Sequence, residues 1–142
     1  MSSVPDPAIA IRPTRQEDLP ALGQFIEPFV AQKKLLPRTP EELEELIAHG
    51  FVAEQQTRIV GFAALEIYSK KLAEIRSLAV ADEIQGRGVG RRLVEACVQR
   101  AHERNILEVM VITSSEDFFR ACGFHFALPG EKKALFLQTR EE

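Results

Sequence analysis

The chain has 142 residues, enough for one domain with a proper hydrophobic core. Hydrophobic residues make up 45% of the sequence and charged residues 27%, ordinary globular values that exclude a disordered chain, and the net charge of −3 argues against nucleic acid as the main partner. Two cysteines, no apolar run of membrane-spanning length and no signal peptide predict a reduced, cytoplasmic protein without a membrane partner.

Residues 1–8 contain two prolines and two serines, which predicts a flexible N-terminal tail ahead of a single domain at 9–142. The first element of that domain is a short strand at 9–12. Thr14 and Glu17 then have the spacing of a capping box, in which each side chain accepts a hydrogen bond from the other residue's backbone N–H. A first helix should therefore begin at this point.

A second capping box, Thr39 with Glu42, places a proline at the first helical position, where its missing N–H costs nothing. The helix that it begins should run to about His49. Two strands, at 51–54 and 58–67, should then form a hairpin.

Five further elements are predicted in the second half of the chain. They are a strand at 74–80, an amphipathic helix at 89–104, a buried strand at 107–112, a short helix at 117–122 and a closing hairpin of residues 124–127 with 133–138. The right-handed crossover rule makes the strands at 74–80 and 107–112 parallel. The order of elements predicts an α/β (α+β) fold with a mixed central sheet and helices on both faces.

A glycine-rich turn, Gln85-Gly86-Arg87-Gly88-Val89-Gly90, joins the strand at 74–80 to the following helix. Its glycines let backbone N–H groups converge, the helix contributes the positive end of its dipole, and Arg87, Arg91 and Arg92 add positive charge. Such a site is suited to phosphate oxygens. Arg91 and Arg92 stand where a nucleoside-triphosphatase loop needs Lys-Ser/Thr, and Arg91 stands where a dinucleotide fingerprint needs glycine or alanine. A tight strand-to-helix turn without a ligand is the alternative.

The spacing Gln85-x-x-Gly88-x-Gly90 resembles the acetyl-CoA pyrophosphate loop of the GNAT superfamily of N-acetyltransferases. The segment Phe118-Phe119-Arg-Ala-Cys-Gly123-Phe124 is similar to the family's Phe-Tyr-x-x-x-Gly-Phe, and the predicted order of elements is the family's order. The resemblance implies a GNAT fold, in which the strands at 74–80 and 107–112 splay apart, and acetyl-CoA as cosubstrate. It implies acetyl-CoA contacts from Leu78, Ala79, Val80, Gln85, Gly86, Arg87, Gly88, Val89, Gly90, Arg91 and Phe119. The three histidines share no metal-ligand spacing, so no metal is expected.

A narrower resemblance covers three other parts of the chain. Residues 27–30 with 35–39, 61–65 and 72–80 look like the acetyltransferase domain of bacterial N-acetylglutamate synthases, and the short, kinase-free form is the most similar. This resemblance implies a small-molecule amine acceptor, L-glutamate by preference, and a role in arginine biosynthesis. GNAT domains often pair through edge strands, so a homodimer is possible.

The acceptor amine must lose a proton, because an α-amino group with a pKa of about 8 is largely protonated at neutral pH. Glu74, in the strand at 74–80, is the candidate base, acting directly or through a water. Its position matches the glutamate that the synthase-like proteins use. The alternative is a strand-edge glutamate paired with Arg76. A backbone N–H near Leu78 is the candidate oxyanion partner.

The residue expected to protonate the leaving thiolate differs from the family pattern. Most GNAT enzymes protonate it with the tyrosine of Phe-Tyr, but that position is Phe119 here, which cannot donate a proton. Ser114 is the candidate substitute, with Ser115 as a second choice. Either serine could instead cap the helix at 117–122.

A dicarboxylate acceptor calls for arginines, because guanidinium groups bind carboxylates through two hydrogen bonds. Arg38 and Arg76 are at the matching positions, and if its strand alternates, Arg76 shares a face with Glu74. Weaker candidates are Lys33, Lys34, Lys132 and Lys133.

Two other functions are compatible with the sequence. One is a GNAT acetyltransferase of another amine, such as a different amino acid, a polyamine or a protein N-terminus. The other is a non-catalytic acyl-CoA-binding module, in which the missing tyrosine reflects lost turnover.

Overall fold

The structure, a computed structural model, describes residues 8–125 and 134–140, so most of the predicted tail lies outside the described residues. The described strands are β1 (Ile9–Pro13), β2 (Gly50–Gln55), β3 (Arg58–Ile67), β4 (Leu72–Val80) and β5 (Glu108–Met110). They form one five-stranded sheet in chain order. The first three pairings are antiparallel, and β4 with β5 is parallel, which confirms the predicted mixed sheet.

The described helices are α1 (Leu19–Ala31), α2 (Pro40–Leu46), α3 (Val89–Glu103) and α4 (Glu116–Ala121). The described residues up to Ile112 form one compact unit, which contains the sheet and α1 to α3, and the described residues after Ile112 form a second.

Helices cover both faces of the sheet. Side chains on β3 alternate between the two faces, so neighbouring residues of this strand pack against different helices. Phe62 and Ala64 join a buried cluster with Leu22 and Ile26 of α1 and with residues of α2. Gly61 points the other way, toward α3, where an added Cβ would lie 3.0 Å from the side chain of Leu93. The α1/α2 face and the α3 face are therefore separate sides of one sheet.

The predicted capping box of Thr14 and Glu17 is wrong. The Thr14 hydroxyl donates instead to the backbone carbonyl oxygens of Ile47, at 2.6 Å, and Gly50, at 3.1 Å. The Asp18 carboxylate accepts from the Arg15 N–H at 2.7 Å, and α1 begins only after a short 3-10 turn. A threonine hydroxyl that can reach long-range carbonyl groups is not available to cap its own helix.

The capping box of Thr39 and Glu42 is confirmed. The Thr39 N–H donates to the Glu42 carboxylate at 2.8 Å, and the Glu42 N–H donates to the Thr39 hydroxyl at 3.1 Å. These bonds fix the start of α2 and thereby the backbone of Arg38, the residue immediately before the cap.

Replacing Thr39 with alanine removes one of these two bonds. We expect the free energy of unfolding to fall by about 1 kcal/mol, the usual cost of losing a helix N-cap. Urea denaturation measures it, with Thr39→Ser, which keeps the hydroxyl, as the matched control. Equal stability of the alanine and wild-type proteins would contradict a stabilising cap.

The strands β4 and β5 pair over a short length only. β5 pairs with Leu72, Ala73 and Glu74, and residues 75–80 have no strand beside them on that side within the described part of the chain. On the other side, the β3 register shifts opposite Ser77, whose φ of +60° marks a β-bulge. The two parallel strands thus diverge just after Glu74, in agreement with the predicted splay.

Two predictions near the C-terminal end need correction. β5 is shorter than the predicted strand at 107–112 and less buried, with Leu107 73% and Ile112 62% exposed, because among the described residues it has a sheet neighbour on one side only. The closing hairpin is not observed either. Residues 124–125 and 134–138 are not in strands, and residues 126–133 lie outside the described residues.

Candidate active site

The loop between β4 and α3 is shaped by two glycines in the left-handed region, Gly86 with a φ of +84° and Gly88 with a φ of +79°. Gly88 directly precedes α3, so the first-turn N–H groups, including those of Val89 and Gly90, have no acceptor within the helix. Apart from the two neighbours in sequence, no described residue has a heavy atom within 4 Å of a Cβ added at either left-handed glycine. The loop therefore has the donors and the open space that phosphate oxygens require.

Replacing Gly88 with alanine forces a side chain into this left-handed conformation. We expect the free energy of unfolding to fall by about 1–2 kcal/mol. The KM for acetyl-CoA should rise in the same variant, because the strained loop relaxes away from its binding conformation. Chemical denaturation and initial rates measure the two effects.

Gly23→Ala is the matched control for Gly88→Ala. Gly23 lies inside α1 with open space around it, so the same substitution should stabilise the protein by up to about 1 kcal/mol. Equal effects of the two alanines would contradict a conformational cost at Gly88.

The arginines near the loop do not share one role. Arg92 donates from Nη1 to the carbonyl oxygen of Ile9 at 2.9 Å, so one of its donors is engaged by β1, and the charge that it adds to the phosphate site stays a prediction. Arg91 is exposed, with its Nε 3.9 Å from the Glu95 carboxylate, a pair that contributes little to stability. Arg87 and Arg91 stay the predicted phosphate ligands.

The end of β4 is tied to the loop by a side chain. The Gln85 amide donates to the carbonyl oxygen of Val80 at 3.0 Å, so this carbonyl is engaged within the protein. Leu78 lies at the bulge, while Ala79 and Val80 pair with β3. Their contacts with the pantetheine arm stay predictions.

Glu74 lies on the α1/α2 face of the sheet in a chain of hydrogen-bonded side chains. The Tyr68 hydroxyl donates to Oε1 of Glu74 at 2.6 Å, and Nη1 of Arg76 donates to the Tyr68 oxygen at 3.3 Å and to the Glu66 carboxylate at 2.9 Å. In the register, Glu66 is opposite Glu74 and Ala64 is opposite Arg76, so the predicted shared face of Glu74 and Arg76 is confirmed.

The alternative role of Glu74, an ion pair with Arg76, is observed in the structure, but the two side chains are not in close contact. The closest nitrogen-to-oxygen distance between the two side chains is 3.6 Å, and Glu74 is only 6% exposed. Its short hydrogen bond goes to Tyr68 instead. Oε2 of Glu74 has no hydrogen-bond partner among the residues that the structure describes, so it can accept a proton from a ligand.

Arg38 contributes a second guanidinium to the same region. Its Nε is buried and has no hydrogen-bond partner in the described part of the chain. Burial, reinforced by the charge of Arg76, lowers the pKa of Arg38, while the charges of Glu42 and Glu66 act in the opposite direction. A buried donor without an acceptor is costly, and an anionic ligand would remove that cost.

A groove between α1 and α2 reaches Arg38. Its volume is about 500 Å³ and most of its wall is apolar. The lining includes Glu27 and Val30 from one of the synthase-like segments, and Pro37 and Arg38 from another. The fold therefore brings together two segments on which the narrower resemblance rests.

Phe119, Ser114 and Ser115 belong to the second compact unit, and their predicted roles stay predictions. The Phe119 ring is buried and contacts Phe118 and Phe124 edge to face, at centroid distances of 4.9 and 5.5 Å. Ser115 immediately precedes α4, yet its side chain makes no capping hydrogen bond. The proposed capping role of that side chain is therefore not realised.

The chain matches the model of the acetyltransferase (GNAT) family over residues 15–125. This chain belongs to the GNAT family. It is an N-acetyltransferase that depends on acetyl-CoA, and the open glycine loop before α3 suits the phosphates of that cosubstrate.

Three related proteins align with most of this chain. An amino-acid acetyltransferase of Mycobacterium tuberculosis is 32% identical over 80% of this chain and 67% of its own length. One of Ralstonia nicotianae is 34% identical over 89% of this chain but only 29% of its own length. An uncharacterized N-acetyltransferase of Chlorobaculum tepidum is 36% identical over 80% of this chain and 74% of its own length.

Two solved structures that are similar to this chain contain bound CoA. A Mycobacterium tuberculosis protein in complex with CoA and NLQ has a TM-score of 0.74 at 32% identity, covering 80% of this chain and 70% of that one. The N-acetylglutamate synthase of Neisseria gonorrhoeae, in complex with CoA and N-acetyl-glutamate, has a TM-score of 0.72 at 27% identity, covering 82% of this chain and 28% of that one.

The described residues of this GNAT domain contain neither a membrane-spanning helix nor a cluster of metal-ligating side chains. No helix there is long and apolar enough to cross a bilayer. No cluster of three or more histidine, cysteine, aspartate or glutamate side chains forms a metal-ligand set in the same residues.

Three residues of the site were missed by the sequence analysis. Tyr68 and Glu66 complete the hydrogen-bond chain to Glu74, and Ser77 carries the bulge. A partial signal for Tyr68 was available, because Tyr68 lies two residues after Glu66 and so on the same face of an extended chain, but the register that places Glu66 opposite Glu74 is seen only in the structure. A serine with positive φ gives no comparable signal.

Proposed function

We propose that this GNAT enzyme transfers the acetyl group of acetyl-CoA directly to the α-amino group of L-glutamate. Acetyl-CoA supplies the acetyl thioester, and the residues of the chain bind the acceptor and remove its proton. The relatives named amino-acid acetyltransferase support an amino acid as the acceptor. Arginine biosynthesis in the cytoplasm is the proposed setting.

The observation that carries this proposal is the buried, unpartnered Nε of Arg38. Its pKa is lowered in part by Arg76, so the two guanidinium groups interact electrostatically. Two neighbouring cations, one of which lacks an acceptor for a buried donor, favour a ligand with more than one carboxylate oxygen. A dicarboxylic amino acid has this chemistry, whereas a polyamine would add positive charge to a region that already has it.

Glu74 is the proposed base. Its Oε1 is held by Tyr68 and its Oε2 is available to the acceptor ammonium group. Once Oε2 has taken a proton, the neutral amine can attack the thioester carbonyl carbon. The C–N bond forms, the C–S bond breaks, and the second proton that the nitrogen loses balances the proton that the leaving thiolate gains. The Leu78 N–H is the proposed donor to the oxyanion and Ser114 the proposed acid for the leaving thiolate.

The test is CoA release by the purified protein with L-glutamate, set against L-glutamine, other amino acids, a polyamine and a peptide with a free N-terminus. The expected result is a rate with L-glutamate at least about tenfold above that with L-glutamine, because a lost charged contact costs at least that factor. A preference for another amine would reject glutamate but keep the enzyme. Acetyl-CoA binding without any transfer would support the binding-module alternative.

A further inference from the structure

The hydrogen bond between Tyr68 and Glu74 is the shortest contact of the proposed base. At 2.6 Å it lies within the range for a charge-assisted bond between a hydroxyl donor and a carboxylate acceptor. The Tyr68 oxygen also accepts from Nη1 of Arg76. One hydroxyl therefore links the base to the neighbouring guanidinium.

We propose that Tyr68 is a positioning residue for the general base: its hydroxyl holds Oε1 of Glu74, so that Oε2 is directed to the acceptor amine. The inference rests on the proposed function for the role of Glu74. A carboxylate on a free strand side chain can rotate about its last bond, which has a broad torsional preference. A short charge-assisted hydrogen bond to one oxygen restricts that rotation and fixes where the other oxygen lies.

The geometry assigns positioning, and not acid catalysis, to this hydroxyl. Its one proton points to Glu74, and its oxygen accepts from Arg76, so both of its functions are used within the chain. Burial and the hydrogen bond to Glu74 raise the pKa of Tyr68 to about 12. The phenol is thus protonated at every pH at which the enzyme would work, and the hydrogen bond persists.

The chain offers a direct measurement of this contact, because Tyr68 is its single tyrosine and it has no tryptophan. The ultraviolet absorbance of tyrosinate therefore reports on this phenol alone. We expect a titration midpoint near pH 12 in the wild-type protein and a midpoint closer to the ordinary value of about 10 in Glu74→Gln. Equal midpoints in the two proteins, or a wild-type midpoint near the ordinary value, would overturn the contact.

The titration has two controls, a variant that removes a different carboxylate and a check that the protein is still folded. Glu66→Gln removes a carboxylate that makes no direct hydrogen bond with Tyr68 and is linked to it only by its charge and by Arg76, so the midpoint should fall less than in Glu74→Gln. Since the folded state holds the phenolic proton more tightly than the unfolded chain, stability falls as pH rises from about 10 toward 12. The absorbance is therefore read in stopped-flow pH jumps, before unfolding, with circular dichroism as the check.

Kinetics separate positioning from substrate binding. In Tyr68→Phe we expect kcat to fall about tenfold while the KM for the acceptor stays within about twofold, because the base is still present but less often correctly placed. Glu66→Gln should lower kcat by less. A raised KM with unchanged kcat would overturn the proposal, because it would place Tyr68 in contact with the acceptor.

Failure of the proposed function can be distinguished from failure of the proposal for Tyr68. If another amino acid replaces glutamate as acceptor, the same kcat loss in Tyr68→Phe is expected with that substrate. If no amine is acetylated, the proposed function and the positioning role of Tyr68 in catalysis are both rejected, whereas the titration alone still decides whether its hydroxyl holds Glu74.

Discussion

Replacing Glu74 with glutamine should lower kcat about a hundred- to a thousandfold, the usual contribution of a general base. Glutamine has nearly the same shape, and its amide oxygen can still accept the hydrogen bond from Tyr68, so the protein should fold normally. The substitution removes the negative charge and the ability to take a proton. The KM for acetyl-CoA should be unchanged, because Glu74 is not among the residues assigned to the loop.

The pH dependence distinguishes a lost base from a disturbed structure. As pH rises above the pKa of the acceptor amine, more of the acceptor is already neutral and the base is needed less. The defect of Glu74→Gln should therefore shrink as pH rises, which initial rates of CoA release will show. Glu66→Gln is the matched control, since it removes a carboxylate from the facing position on β3. A pH-independent defect, or full turnover in Glu74→Gln, would reject the assignment.

The features that sequence could predict are those set by local periodicity and by turn chemistry. Glu74 and Arg76 share a face because strand side chains alternate, and the register confirms it. Gly86 and Gly88 adopt positive φ, a conformation that side chains rarely take. In both cases the physical cause lies within a few residues.

The features that sequence missed depend on distant parts of the chain. Thr14 does not cap α1 because the carbonyl groups of Ile47 and Gly50, more than 30 residues away, compete for its hydroxyl. The contact of Tyr68 with Glu74 requires the hairpin register, and a slip of one residue would move one of them to the opposite face. The unpartnered Nε of Arg38 is a property of three-dimensional burial, with no local signature.

Replacing Arg38 with alanine should raise the KM for L-glutamate about ten- to a hundredfold, because a charge-assisted contact with a carboxylate contributes about 1.5–3 kcal/mol. Arg38→Lys, which keeps the charge but loses the planar pair of donors, should recover part of the loss. Initial rates at saturating acetyl-CoA measure both variants. An unchanged KM in Arg38→Ala would reject the carboxylate contact.

In Arg38→Ala, the stability of the ligand-free protein should not fall, although the affinity for L-glutamate does. The Nε of Arg38 is buried without a partner, so Arg38→Ala removes an unfavourable group, and the free energy of unfolding without ligand should equal or exceed that of the wild type. Arg76→Ala is the matched contrast. The Arg76 guanidinium is bonded to Glu66 and Tyr68, and its removal should cost about 1–3 kcal/mol. Similar destabilisation by the two substitutions would mean that Arg38 has a structural role.

The acceptor carboxylate that Arg38 binds can be identified with L-glutamine, which keeps the α-carboxylate and replaces the side-chain carboxylate by an amide. If Arg38 binds the side-chain carboxylate, the wild-type enzyme prefers glutamate and Arg38→Ala loses that preference, because the lost contact belongs to glutamate alone. If it binds the α-carboxylate, the KM rises by the same factor for both acceptors. The ratio of kcat/KM values in the two proteins thus shows which end of the acceptor lies against Arg38.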